Sequence, residues 1–279
     1  MYLGYNTNGM AHHRLTDAIR ILNELGYRGI AITIDHGALP SYAVDSKKQT
    51  EEVCRLLVER GMRSVIETGA RFLLNPKLKH QPTLLSESDA DRMERIKFYE
   101  YAIDCAVELG SDCVSIWSGM IQQVTTHQRA MERLVDGLIR VVTYAADRGV
   151  EIGFEPEPGM MIDSMSKFEE LTNRIDLPNF RLTLDVGHLH CQGEVPIDKY
   201  ISQWATMLVN VHIEDMRAGD HKHLMFGEGE IDFHSVWRAL RKSGYSGGVY
   251  VELSRHSHDA LAATGEAFEF LSKIDSMTG

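Results

Sequence analysis

Cysteine, positive charge and long apolar runs are all scarce in this sequence. Its 279 residues include four cysteines, Cys54, Cys105, Cys113 and Cys191, and no Cys-x-x-Cys pair. That spacing excludes a disulfide framework and a cysteine-based zinc knuckle, and it predicts reduced thiols in a cytoplasmic setting. Lys and Arg number 29 against 40 Asp and Glu, a formal charge of −11. The deficit argues against a nucleic-acid partner, whose phosphates demand a clustered Lys/Arg surface, whereas anionic surroundings suit a divalent cation. No apolar stretch approaches the ~18 residues needed to span a bilayer, so no membrane partner is expected. The start, Met1-Tyr2-Leu3-Gly4-Tyr5-Asn6, lacks the basic and apolar regions of a signal peptide. Linkers and low-complexity tracts are missing too, which leaves one expected domain over 1–279. The outer helix faces show no patch that marks an oligomer contact, although an oligomer is compatible with them.

What the chain does contain is a regular alternation. Apolar runs of strand length are separated by longer segments of helical period, the βαβ signature of a parallel sheet. The runs predict strands over Leu3–Thr7, Gly29–Asp35, Ser64–Thr68, Cys113–Trp117, Glu151–Glu155, Arg181–Val186, Leu208–Ile213 and Gly248–Leu253. Helix ends repeat one connection, with Gly26, Gly61, Gly110, Gly149 and Gly244 each placed to cap a helix before the next strand. Eight such units in a chain of this length predict a (β/α)₈ TIM barrel. The longest irregular stretch, Arg71 to Asp89, follows the third strand and is expected over the rim as a substrate loop.

Strand parity then selects a site. Successive side chains point to opposite faces, so Ile152 and Phe154 oppose Gly153 and Glu155, and Leu182, Leu184 and Val186 oppose Thr183 and Asp185. Val209, Val211 and Ile213 likewise oppose Asn210 and His212, and Val249, Val251 and Leu253 oppose Tyr250 and Glu252. In a parallel barrel the apolar parity packs on the outer helices and the other lines the interior, opening at the C-terminal rim. Glu155, Asp185, His212 and Glu252 therefore converge. Three carboxylates and one imidazole form a mostly hard donor set, suited to Mn²⁺ first, with Mg²⁺, Co²⁺ or Zn²⁺ as alternatives. Singly, each carboxylate reads equally well as a solvated rim residue or a helix N-cap. Glu157 shares the parity of Glu155 and replaces it if the fifth strand ends later. Trp117 and Tyr5 are candidates for the floor of a pocket at the mouth, or for ordinary core.

The segments Phe154-Glu155-Pro156, Leu184-Asp185-Val186-Gly187-His188, Val211-His212-Ile213-Glu214-Asp215 and Gly227-Glu228-Gly229-Glu230-Ile231-Asp232, with Gly244-Tyr245-Ser246-Gly247 leading to Glu252, carry a resemblance. In this order they resemble the xylose-isomerase-like barrels of the sugar phosphate isomerase/epimerase superfamily, which includes tagatose epimerases and endonuclease IV. The resemblance implies that Glu155, Asp185, His212 and Glu252 bind one divalent metal and that Glu155 and Glu252 exchange substrate protons. It further implies that His188 and Arg217 contact the oxygens of a small carbohydrate. His36, Glu157 and Trp117 are expected to complete the substrate site. His221 and His223 fall where endonuclease IV carries an Asp-x-His pair for extra zinc, which makes them candidates for a second metal. The first of them is not Asp, and Glu67 stands where a further histidine belongs, so the multi-zinc pattern is incomplete.

The expected activity is isomerisation or epimerisation of a ketose, a polyol-derived ketone or a sugar phosphate. A dehydratase or lyase acting on a keto-polyol is the alternative, with abasic-site nuclease a weaker one. No glycine-rich phosphate cradle is present, which tilts the reading towards an unphosphorylated substrate, although Arg71, Lys77, Lys79 and His80 offer a receptor on the long loop.

Overall fold

The computed structural model describes residues 1–278; Gly279, the last residue of the expected domain, lies outside them. The first half of the chain contains β1 (Tyr2–Asn6), α1 (Leu15–Leu25), β2 (Gly29–Thr33), α2 (Ser46–Arg60), β3 (Arg63–Glu67), α3 (Asp89–Leu109), β4 (Cys113–Ile116) and α4 (His127–Ala146). The second contains β5 (Glu151–Phe154), α5 (Met165–Thr172), β6 (Phe180–Asp185), α6 (Val186–Cys191), α7 (Ile197–Gln203) and β7 (Leu208–Ile213). A hairpin, β8 (Asp215–Arg217) and β9 (Asp220–Leu224), precedes α8 (Phe233–Lys242), β10 (Gly248–Val251) and α9 (Ala260–Thr278). The strands β1, β10, β7, β6, β5, β4, β3 and β2 pair in that order, all parallel, and close into a barrel.

Local chemistry sets the helix boundaries. Ser88, Thr126 and Asp232 accept hydrogen bonds from Asp91, Arg129 and Ser235 backbone N–H groups and so start α3, α4 and α8. At the other ends, Gly61 (φ 59°) and Gly110 (φ 63°) turn α2 and α3 into the left-handed region and return backbone N–H groups to the last carbonyls. All eight predicted strands are present, several of them a residue or two shorter at the rim. Glu155 and Glu252 consequently stand just past β5 and β10, while Asp185 and His212 lie within β6 and β7.

The barrel interior is small and filled. Ala31, Val65, Cys113 and Tyr250 pack together with Tyr2 and Val209. Gly4 and Gly29 leave room for the Tyr250 ring, whose hydroxyl meets that of Tyr2 at 3.1 Å. Val209 departs from the parity expectation, which had it facing the helices. A register shift between Leu182 and Thr183 pairs Leu182 with Leu208 and Thr183 with Asn210, so Val209 is the extra residue of a bulge and turns inward. Its Cγ1 occupies the space in front of Gly153. Tyr5 also differs from expectation. It packs outward, edge-on to Tyr27 at 5.7 Å, in the layer between strands and helices, and does not floor a pocket. The four thiols are free. Among the described residues no helix is long and apolar enough to cross a membrane.

The long segment between β3 and α3 is anchored by Arg95, which is fully buried. Its guanidinium donates to the carbonyls of Pro82 (2.6 Å) and His80 (2.8 Å), with Thr68 O at 3.5 Å, and lies 5.2–5.4 Å from the rings of Phe98, Tyr99 and Trp117. No carboxylate pairs with it among the described residues. A buried cation demands compensation, and here main-chain dipoles and ring faces supply it. His80 stacks edge-on against Trp117 at 5.3 Å and reaches Gly69 O through Nδ1 at 2.7 Å. Burial lowers the His80 pKa to about 4.

Two outcomes follow from this anchor. Arg95→Met strands three carbonyls and should lower unfolding stability by about 2–4 kcal/mol in urea titrations; an unchanged midpoint would discount the anchor. His80 remains neutral in the fold while the unfolded chain takes up a proton near pH 6.5, so stability should fall as pH drops from about 6.5 towards 4. His80→Asn, which tolerates the positive φ of 65° and does not titrate, should make that part of the profile less steep, leaving the similar contribution of the buried His188.

Candidate active site

Glu155, Asp185, His212 and Glu252 meet at the C-terminal mouth of the barrel. One donor atom from each lies within 4.8 Å of every other. His212 Nδ1 stands 3.0 Å from Glu155 Oε1, 3.1 Å from Glu252 Oε2 and 4.0 Å from Asp185 Oδ2. Asp185 divides its work. Oδ1 accepts the His188 backbone N–H at 2.7 Å and caps α6, while the buried Oδ2 has no hydrogen-bond partner. An orphaned buried carboxylate oxygen aimed at an imidazole and two more carboxylates fits a divalent cation. The three-oxygen, one-nitrogen donor set suits a hard or borderline divalent ion.

Two residues that parity reasoning did not single out hold this quartet in place. Glu67, the last residue of β3, accepts from His212 Nε2 at 2.9 Å and from the Asn210 amide at 3.1 Å. A carboxylate on Nε2 would keep a ring proton there when a cation takes the place of the one on Nδ1, which faces the mouth. The same inward parity that picked out Asp185 also marks Glu67, the signal that was available. Asn8, past the end of β1, donates from Nδ2 to Glu252 Oε1 at 2.8 Å; no motif announces it.

The charges separate the two glutamates. Burial pushes the Glu155 carboxyl up to about 8, with Glu252 and Asp185 adding to it and His212 opposing. Burial acts on Glu252 as well, but the His212 hydrogen bond and charge outweigh it and hold that carboxyl well below the usual range. Burial would also lower the pKa of His212, yet Glu67 and Glu155 raise it well above its ordinary value. Glu214, on the same parity two residues beyond His212, is fully buried with both oxygens unpartnered, and burial beside Asp185 pushes its carboxyl well up. Gly187 provides the space for it, since a Cβ there would overlap Glu214 Oε1.

The remaining candidates fall into two groups. His188 joins the site: burial lowers its pKa to about 4, its Nε2 is 3.1 Å from His221 Nε2, and Glu157 lies 3.8 Å from it. His221 and His223 sit on β9, where the β8–β9 hairpin folds over the mouth, and with His188 they make a second cluster of donor atoms within 4.8 Å. His223 Nδ1 also donates to Glu252 O at 2.9 Å. Asp215 secures that cover by accepting backbone N–H groups of Met216, Gly227, Gly229 and Ile231. Glu157 is therefore a neighbour of the quartet, and Glu155 is its member.

Outside the cluster, Arg217 is exposed at the turn end of the hairpin, and its guanidinium donates to Glu228 O at 2.9 and 3.2 Å, tying the hairpin to the segment that follows it. Trp117 is buried between Arg95 and His80. His36 is exposed on the rim, bound through Nδ1 to the Tyr42 hydroxyl at 2.7 Å. It lines a cavity of about 420 Å³ that adjoins the quartet through Asn8.

Comparison with known proteins agrees with this architecture. The profile of a family described as xylose isomerase-like TIM barrel matches residues 19–274. L-ribulose-5-phosphate 3-epimerase UlaE of Shigella flexneri serotype 5b (strain 8401) is 24% identical over 262 residues, covering 91% of this chain and 88% of that protein. Among solved structures, a D-tagatose 3-epimerase-like protein superposes with a TM-score of 0.80 at 20% identity, over 100% of this chain and 98% of its own. The IOLI protein, solved with a bound zinc atom, gives 0.80 at 19% identity, over 100% and 99%. At these identities the structural likeness speaks for the fold.

If Glu67 fixes the orientation of the His212 ring, Glu67→Leu should weaken divalent-ion affinity by about 10–100-fold, measured by chelator competition, with Glu67→Gln losing less. Equal affinities in all three proteins would remove Glu67 from the site.

Proposed function

The chain belongs to the family of xylose isomerase-like TIM barrels, and on that premise we propose that it is a divalent-metal-dependent isomerase or epimerase of a small carbohydrate. The observation that carries the reading is the pairing of two glutamates from separate strands on either side of one imidazole, at 3.0 and 3.1 Å from its Nδ1. The names of relatives, an L-ribulose-5-phosphate 3-epimerase and a D-tagatose 3-epimerase-like protein, support sugar epimerisation.

Glu155, Asp185, His212 and Glu252 would hold the ion. When bound, it would draw charge from adjacent carbonyl and hydroxyl oxygens of a ketose and acidify the C–H bond between them. Mn²⁺ suits the oxygen-rich donor set best, and the zinc in the IOLI structure keeps Zn²⁺ open. Glu252, held as carboxylate, takes the proton from the carbon beside the ketone, and the electron pair left behind enters the C–C bond to give an enediolate. Glu155, on the other side of the imidazole, delivers a proton to the opposite face. Such opposed groups invert a stereocentre; return of a proton to the neighbouring carbon isomerises instead. His188, near Glu157 and His221, is placed to hydrogen-bond a substrate oxygen, and the short His188–His221 contact also gives His221 and His223 the character of a second cation position. Arg217 is left outside this scheme because the Glu228 carbonyl engages its guanidinium.

The test is proton exchange. Candidate ketoses incubated with metal-loaded protein in D₂O should acquire deuterium beside the carbonyl without loss of water; water loss indicates the dehydratase alternative. Glu155→Gln and Glu252→Gln should each slow exchange by about a hundredfold or more. Asp185→Ala and His212→Ala should purify with reduced metal, and undiminished content in both would refute the ligand set.

A further inference from the structure

The cavity beside the quartet has a charge arrangement that selects among substrates of the proposed reaction. Among the described residues, Arg71 is the one Lys or Arg lining it and Asp35 the one carboxylate. The two are bound to each other. Arg71 Nε and Nη2 donate to Asp35 Oδ2 at 2.9 and 2.7 Å, and Asp35 Oδ1 accepts the His36 backbone N–H at 2.8 Å, so both carboxylate oxygens are engaged. The two charges cancel in the cavity wall, whose other titratable residues are His12, His13 and His36, and Met10 and Phe72 contribute apolar surface beside them.

The other receptors suggested by the long loop do not replace Arg71. Lys77 and Lys79 are exposed and do not line the cavity. His80 is packed against Trp117, its Nδ1 on Gly69 O. A terminal phosphate entering from the quartet past Asn8 would meet the Asp35 carboxylate together with the one guanidinium it already neutralises. Displacing Asp35 would leave its charge partly buried and unpaired, a cost that a hydroxyl-bearing chain end does not incur.

We propose that Asp35, by neutralising Arg71 in the wall of this cavity, makes the site selective for an uncharged ketose and against its terminal phosphate ester. The inference rests on the sugar isomerase or epimerase reading and names the substrate class of that site. It also separates this chain from the relatives whose names specify a phosphorylated sugar. Asp35 acts as a specificity determinant through Arg71 and has no part in proton transfer.

L-ribulose and L-ribulose 5-phosphate are matched probes. With metal-loaded protein at pH 8, where histidine is ordinarily neutral, kcat/KM by deuterium exchange and Kd by calorimetry should both favour the free sugar by about tenfold or more. Asp35→Asn keeps the acceptor for His36 N–H and frees Arg71, so the preference should move at least about tenfold towards the ester, chiefly in KM and Kd. In the double variant Asp35→Asn, Arg71→Gln that gain should vanish. A wild-type preference for the ester overturns the proposal whatever the variants do, as does a folded Asp35→Asn protein with an unchanged ratio. Absence of exchange with either sugar counts against the parent reading alone, because the two dissociation constants still decide the selectivity.

Discussion

An imidazole buried at the mouth of a closed barrel can serve a cation only if it is told which way to face. His212 receives that instruction from Glu67 on one ring nitrogen, which leaves the other turned to Glu155, Glu252 and Asp185. Each neighbour is then held by something further out: Glu252 by Asn8, Asp185 through its cap on α6, and the hairpin above by Asp215. The price is a concentration of buried carboxylates whose mutual repulsion a cation would relieve. The barrel's small inner core, closed by Tyr250, Val209 and Cys113 beneath, keeps the cluster at the rim.

Much of this was legible in the residue pattern because a barrel strand has a period of two and one inward face. Glu155, Asp185, His212 and Glu252 were found by that rule, and the glycine-ended helices were found by the chemistry of chain reversal. Val209 defied the rule because one extra residue in β7 resets the register, and nothing in an unbroken apolar run of Leu208 and Val209 marks where the pleat is interrupted. Tyr5 was ambiguous because an aromatic ring suits either face of a strand. Glu214 stood within a quoted motif, yet its fit depends on the bare backbone of Gly187, a contact between distant turns that no local pattern encodes.

Loops were harder still. Arg217 and Arg71 are both basic residues near the mouth; the family resemblance implies the first as a contact to substrate oxygens, and the long loop offers the second as one of several receptors for a phosphate. The fold assigns one to the Glu228 carbonyl and the other to Asp35, because partner choice is decided by which loops the barrel brings side by side. A guanidinium is always charged and its partners are not visible from its neighbours in the chain, so its role is read last.

The attachment of Arg95 bears on how such a site changes over generations. Its guanidinium grips the segment after β3 by main-chain carbonyls, at Thr68, His80 and Pro82, and by no side chain of that segment. Carbonyls survive almost every substitution. The segment's exposed side chains, from Pro76 to Lys79, can therefore change while its path stays pinned and its buried ones, from Gln81 to Ser86, keep their packing.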